Sequence, residues 1–522
     1  MTRRSNRVRM RTRRPTRESP GKPTPVAPLA PPPPEVTAPA RATGRRAKGS
    51  SPSSVTFWGA AGTVTGSKFL LHSNNARVLL DCGLFQGPKV WRERNWSHPE
   101  FMERQLDAIV LTHAHLDHSR YLPRLVALNN ERNERSDWRA YATPATVDLL
   151  RVMLPDSAHI QEEDAAFANK RGFSKHEPAL PLYTSADAYA SLRRLRARDY
   201  GVSWEVTPGL AVNFEDAGHI AGSATARFTL PDGRQLLFSG DIGRYVNPLL
   251  RDPTPPTGAD IIVMESTYGG RMHSTEPPED GLAAAVQQAV QNNGVLLIPA
   301  FAVGRTQDLL YALRHLMLSG RVPQLPIFVD SPMAIEATRI FLAHDEAHDP
   351  TLYASGEEGR RRTEALKWST QGGVRYTHTR TESQSLNDLN EAAVIISASG
   401  MATGGRILHH LKHRLPRKST VVLLVGFQVE GTRGRLLLDG ARAIKIHGED
   451  VPVHADVRFV DGFSAHADEP ELVRWLGGLE KKPERLFLVH GEPEAATALA
   501  SAIQQRLGWQ AEIAQYGERV PL

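Results

Sequence analysis

The stretch Ile109-Val110-Leu111-Thr112-His113-Ala114-His115-Leu116-Asp117-His118 decides how this chain is read. Its first four residues are apolar or β-branched and make a buried strand. The next six hold three imidazoles and a carboxylate. They cannot all be core residues, because each buried ring needs a hydrogen-bond partner. Neutral imidazole and carboxylate together suit zinc, with manganese as a harder alternative. A loop leaving the strand would aim His113 and His115 at one ion and turn Asp117 and His118 toward a second. Two ions roughly 3.5–4 Å apart would flank an attacking water and a leaving oxygen. The bland reading of the same stretch is a solvated polar loop.

The same arrangement recurs along the chain. Arg77–Leu80 is followed by Asp81, Leu236–Gly240 by Asp241, Ile261–Met264 by Glu265, and Leu486–Val489 by His490. Strand ends are where layered α/β folds build sites, because loops diverge there from a rigid sheet. His219, in Asp216-Ala217-Gly218-His219-Ile220, reads alone as a hydrogen-bonded structural histidine and beside the cluster as a ligand. Asp241 is either a strand-end cap or, with its two oxygens, a bridge between two cations.

Composition bounds the rest. At roughly 150 residues per domain, 522 residues allow about three domains. A content of 40% hydrophobic and 23% charged residues excludes wholesale disorder. Apolar runs such as Val421–Val425 are strand-sized and far from the roughly 20 residues of a membrane span, so no membrane association is expected. One cysteine, Cys82, excludes an intramolecular disulfide and a cysteine-built zinc site. A cytoplasmic location fits. The net charge of +6 divides unevenly. Residues 1–50 hold 13 of the 63 Lys and Arg but two of the 57 Asp and Glu, so they carry +11 and the remainder −5. Residues 1–52, Arg-rich and then Pro-rich, read as a disordered tail. It is a solvated segment, an arm that attracts nucleic acid, or a cleaved targeting peptide.

Segments near 56–58, 68–71 and 77–80 read as antiparallel strands. Helices are expected over 144–153 and 156–170, and strands over 210–214, 224–230 and 235–239. After Glu265 strands alternate with helices: 295–299, 327–330, 393–397 and 421–425 against 306–318, 333–343 and 406–413. That alternation predicts a parallel sheet with crossover helices. Residues 485–489 read as the last buried strand. The expected fold class is α/β, with boundaries at 55–267, 268–449 and 450–522.

In order, Asp81, His113-x-His115-x-Asp117-His118, Gly218-His219 and Ser239-Gly240-Asp241 resemble the metallo-β-lactamase superfamily. Glu265-Ser266-Thr267-Tyr268-Gly269, Phe463-Ser464-Ala465-His466-Ala467-Asp468 and Leu488-Val489-His490-Gly491-Glu492 resemble the three extra motifs of its β-CASP branch. Ser399–Arg406 and Gly426–Thr432 are similar to that branch too, and the resemblance spans about residues 55–520. It is nearest to the bacterial and archaeal relatives of the cleavage and polyadenylation nuclease. The resemblance implies an αββα sandwich with an inserted Rossmann-like β-CASP domain. It implies a ribonuclease, endo- or exonucleolytic, working with two zinc ions per chain and an activated water. By the same resemblance His113, His115, His219 and Asp241 would hold one zinc, and Asp117, His118, Asp241 and His490 the other. Asp81 would orient the ligand loop. Asp117, Glu265 and His466 would be catalytic, Glu265 tying down His466 or a ligand while His466 faces the scissile phosphate. A histidine at the third motif goes with RNA as substrate.

In the inserted domain, Ser399, Gly400, Gly404, Gly405 and Arg406 open a helix. The glycines would let backbone N–H groups approach a phosphate, and Arg406 would add a bidentate contact. A structural turn is the alternative, and the spacing does not fit a dinucleotide fingerprint. Ala300-Phe301-Ala302-Val303-Gly304-Arg305 is a similar strand-to-helix loop, read as a weaker phosphate loop or an ordinary turn. His409–Arg414 reads as a basic helix end or an RNA contact. His159, His344, His348, His447 and His454 read as structural or surface histidines. The rival functions are a DNA nuclease, a thioester or lactone hydrolase, and a non-catalytic RNA-binding subunit. A homodimer is left open.

Overall fold

Side chains of strand Ile261–Glu265 alternate between two cores. Ile261 and Val263 face one, and Ile262 and Met264 face the other. Leu486–Val489 and Leu236–Phe238 alternate in the same way. Period-two alternation with both faces apolar makes a sheet covered on both sides. The computed structural model describes residues 52–522 apart from 103, 134–135, 173–175, 246, 368–372 and 427. The expectations for the tail, and for Phe427 within its motif, fall outside the described residues.

Two seven-stranded sheets face each other. The first runs Arg519–Pro521, Ser54–Phe57, Phe69–Ser73, Ala76–Leu80, Ala108–Val110, Arg139–Ala142, Leu195–Ala197. The second runs Glu512–Ile513, Arg485–Val489, Ile261–Glu265, Gln235–Phe238, Ala224–Thr229, Leu210–Asp216, Trp204–Thr207. Between them lie Phe57, Leu71, Phe214, Phe228 and Phe487. Helices Leu122–Glu131 and Pro144–Arg171 cover the first sheet, and Glu469–Leu476 and Pro493–Leu507 the second. This is an αββα sandwich. The third sheet has six strands, all parallel, in the order Val374–Tyr376, Ile327–Val329, Ala393–Ser397, Val295–Pro299, Val421–Val425, Asp456–Val460. Helices pack on both of its faces, as a parallel sheet requires.

Three readings change. The helices expected at 144–153 and 156–170 are one 28-residue helix, Pro144–Arg171, with Pro155 inside it. Proline removes a helical hydrogen bond, but Leu149, Leu150, Met153, Leu154 and Ala158 pack on both sides of it and outweigh the loss. Helix Pro278–Gln291, absent from the sequence reading, buries Leu282, Val286 and Ala289. After Arg485–Val489, the last strand with a buried run, two short and mostly exposed strands, Glu512–Ile513 and Arg519–Pro521, add one edge strand to each sheet of the sandwich. Asp456–Val460, beyond the boundary drawn at 449/450, pairs with Val421–Val425 and is the edge of the inserted sheet.

Candidate metal centre

The five strand-end residues converge. Asp81, His113, Asp241, Glu265 and His490 all leave neighbouring strands on one side of the sandwich, and each is buried. Two glycines make the convergence possible. A Cβ on Gly83 would lie 1.5 Å from the Asp117 carbonyl oxygen, and one on Gly243 would lie 1.8 Å from that of Gly218. The Asp81 and Asp241 turns therefore seat directly on the histidine loops. Cys82 N–H donates to His118 O at 2.7 Å and Gly243 N–H to Ala217 O at 2.7 Å. Asp81 and His490 hold positive φ of 55° and 50°. Non-glycine residues rarely adopt that region, and such strain collects at functional sites.

His113, His115, His219 and Asp241 form one group of mutually adjacent ligand atoms; Asp117, His118 and His490 form a second. In the first, His115 Nδ1 lies 3.1 Å from both His113 Nε2 and His219 Nε2. Asp241 Oδ2 lies 3.5 and 3.6 Å from the latter two. A tetrahedral zinc with bonds of about 2.0–2.1 Å needs ligand atoms about 3.3–3.4 Å apart, so the residues fit. The other carboxylate oxygen, Asp241 Oδ1, faces the second group, 3.3 Å from His118 Nε2 and 3.5 Å from His490 Nδ1. It is buried and accepts no hydrogen bond of good geometry. One carboxylate thus turns an oxygen to each group.

Hydrogen bonds assign the tautomers. Thr112 Oγ1 donates to Asp81, so it accepts from His113 Nδ1 at 3.1 Å and leaves His113 Nε2 bare. Thr267 Oγ1 donates to His490 O, so it accepts from His490 Nδ1 at 3.0 Å. His490 Nε2 is then bare, 3.1 Å from His118 Nε2 and 3.3 Å from Asp117 Oδ2. His118 Nδ1 donates to Asp81 Oδ2 at 2.8 Å. Lone pairs turned on one another in a buried site require a positive charge between them.

The electrostatics agree. Burial holds His113 and His219 well below the usual imidazole range and His115 down at about 4, so all three are neutral at pH 7, the form that a metal would take. For His118 burial acts the same way, but Asp241 and Asp81 overcome it and raise the ring well above that range. A proton there answers the demand that a cation would. Burial pushes Asp241 up, yet His118 and His490 hold its carboxyl well below the carboxylate range.

Glu265 and His466 stand beside the two groups. Glu265 Oε1 accepts from Ile242 N–H at 2.6 Å and lies 3.2 Å from His466 Nδ1. Of the two partners expected for Glu265, it holds His466, together with the turn that carries Asp241. Burial lowers the His466 ring, but Glu265 outweighs it and brings the pKa to about 9. Sequence reasoning missed Thr112, Thr267 and His273, whose Nε2 lies 2.9 Å from His466 O. The first two stood inside quoted motifs as residues able to fix a histidine tautomer.

The Ser399–Arg406 loop differs from expectation at its arginine. Arg406 Nη1 donates to Asp330 and Thr377 O, and Nη2 to His378 O. A buried aspartate with its own need for donors holds the guanidinium inside the inserted domain, so no bidentate phosphate clamp stands ready. Gly405 has φ +79°, and a Cβ there would lie 2.8 Å from Ala398 O.

Residues 76–292 match a β-lactamase superfamily domain, 306–437 a Beta-Casp domain, and 450–514 a zinc-dependent metallo-hydrolase RNA specificity domain. A ribonuclease of Thermus thermophilus is 36% identical over 472 residues, 89% of this chain and 99% of its own. The chain belongs to the β-CASP family of the metallo-β-lactamase superfamily. Two further β-CASP relatives are transcription termination factors FttA. That of Pyrococcus abyssi is 32% identical over 85% of this chain and 67% of its own, and that of Methanocaldococcus jannaschii 30% over 86% and 69%. Among the described residues, no helix is long and apolar enough to cross a membrane.

Proposed function

We propose that this chain is a metal-dependent ribonuclease that hydrolyses RNA phosphodiester bonds. The observation that carries the reading is Asp241, one buried carboxylate with an oxygen turned to each of two ligand groups. The relatives named as a ribonuclease and as termination factors support RNA as the substrate. His113, His115, His219 and Asp241 would hold one zinc, and Asp117, His118, Asp241 and His490 a second. When bound, the ions supply Lewis acidity and neutralise phosphate charge.

The chain's own groups do the rest. Asp81 fixes His118 directly and His113 through Thr112. Asp117, 21% exposed where Asp241 and His490 are almost fully buried, would take the proton of the attacking water. Glu265 fixes His466 through Nδ1, which leaves Nε2 to steady the scissile phosphate or protonate the leaving oxygen. The protein works in the cytoplasm in this reading, and its +11 N-terminal segment adds sequence-independent phosphate contacts.

The test is cleavage of a 5′-labelled RNA and a DNA of the same sequence by zinc-loaded protein. RNA cleavage that needs the metal supports the reading. Equal or faster DNA cleavage, or no RNA cleavage at full metal content, sinks it.

A further inference from the structure

Arg305 is a buried cation that the fold leaves without a hydrogen-bonded acceptor at two of its nitrogens. It is the first residue of helix Arg305–Leu318 and is 7% exposed. Its Nε and Nη1 are buried without a hydrogen-bond partner. Asp308 and Asp461 act on it only through space, and burial disfavours its charge. The position adds a second positive charge, which Asp308 in the first turn answers only through space. Helix N-termini bear positive partial charge, and Gly304 in front of it supplies no side-chain cap. A buried cation without a partner is costly. Arg406 shows the contrast, since three backbone and side-chain acceptors hold it.

The surroundings connect Arg305 to the metal centre. A Cβ on Gly426 would come 3.5 Å from Arg305 Nη2, an ordinary contact, so the Gly426 turn passes directly beside the guanidinium. Tyr268 also acts on Arg305 through space, and its ring stacks 6.1 Å from that of His466. Four residues before Arg305, Phe301 is 42% exposed. Its ring lies against the glycine loop, where a Cβ on Gly400 would come within 3.1 Å of it. An exposed aromatic ring and, in the same loop, a guanidinium with two nitrogens lacking an acceptor are the kinds of group that a single-stranded nucleotide uses, one for its base and one for its phosphate.

We propose that the Ala300–Arg305 loop is a nucleotide subsite, in which Arg305 holds a backbone phosphate and Phe301 stacks a base. The proposal rests on the reading of the chain as an RNA hydrolase.

The experiment uses full-length, metal-loaded protein and a labelled oligoribonucleotide, with half-saturation and single-turnover rate followed across a salt series. Arg305→Met should weaken half-saturation by roughly 10- to 100-fold, the range for a lost charge-assisted contact. The slope of log affinity against log salt should become shallower by about 0.7, the value for one single-strand phosphate. Its melting temperature should hold or rise, because an unpaired buried cation has gone. Should that variant not fold, Arg305→Lys keeps the charge and should keep the slope while losing the forked contact and its affinity. Phe301→Ala, at an exposed position, should weaken binding by roughly 5- to 100-fold with an unchanged slope. Wild-type affinity in the Arg305 variant that folds overturns the phosphate assignment, and wild-type affinity in Phe301→Ala overturns the stacking one. If the wild-type protein itself fails to cleave RNA, the ribonuclease reading has failed instead.

Discussion

Asp241 and Asp330 both lie just beyond the end of a strand, both are buried, and both face histidine, yet they do opposite things. Asp330 in the inserted sheet is saturated. It accepts from Ser383 Oγ and Thr377 Oγ1 at 2.5 Å, His410 Nε2 at 2.6 Å and Arg406 Nη1 at 2.7 Å. Asp241 in the sandwich faces four imidazoles at 3.3–3.6 Å, and its Oδ1 accepts no hydrogen bond of good geometry. Four donors close a structural hub, whereas imidazoles spaced 3.3–3.6 Å from one carboxylate are arranged as a cation would need them. Charge and burial alone would not separate the two; saturation does.

The comparison breaks most sharply at Asp241. Asp241→Ala removes the group that both ligand clusters share, so activity should fall to background and at least one metal equivalent should be lost. Metal analysis beside a cleavage assay checks this, and full metal content with normal turnover would refute the bridging role. His466→Ala separates chemistry from binding within the same site. It should keep the metal and slow cleavage by about 10²–10⁴, the range for a lost general acid. A collapse of metal content would make His466 a ligand and require its role and that of His490 to be exchanged.

Asp330→Ala should behave in the opposite way. It strands Arg406 and His410 without their acceptor, and breaking a buried pair on one side costs about 3–5 kcal/mol. The denaturant midpoint should drop, while protein that remains folded keeps its metal content. Loss of metal with unchanged stability would erase the distinction between the two aspartates.

Their legibility in sequence differed for the same reason. Imidazoles and carboxylates at strand exits drew attention to His113–His118, Asp241 and His490, and the family resemblance grouped them with His219 into two proposed ligand sets without coordinates. The purpose of Arg406 could not be read, because its acceptor Asp330 lies 76 residues upstream and only the parallel sheet brings them together. Pro155 misled for a related reason: local chemistry breaks the helix, and the packing that holds it comes from a distant sheet. The strand Asp456–Val460 returns to an edge that no local pattern announces.

The smallest expected effect lies where the two regions meet. His344 ends helix Pro332–Ala343 of the inserted domain, and its Nε2 lies 3.0 Å from Asp148 Oδ2 on helix Pro144–Arg171 of the sandwich. Its Nδ1 lies 2.7 Å from Glu346 Oε1. Arg151 also pairs with Asp148 and competes for it. The hydrogen bond to Asp148 raises the His344 pKa, Glu346 adds to it, and burial opposes both. A histidine raised on folding stabilises fully below its unfolded value of about 6.5. That contribution disappears as pH rises through the higher folded value. Both carboxylates are more than a third exposed, so solvent screening limits the pair to about 0.5–1 kcal/mol. His344→Gln should therefore lower the denaturant midpoint at pH 6 and leave little difference from wild type at pH 9. An equal loss at both values would mean that His344 acts by packing, and that the two regions are joined by no charge.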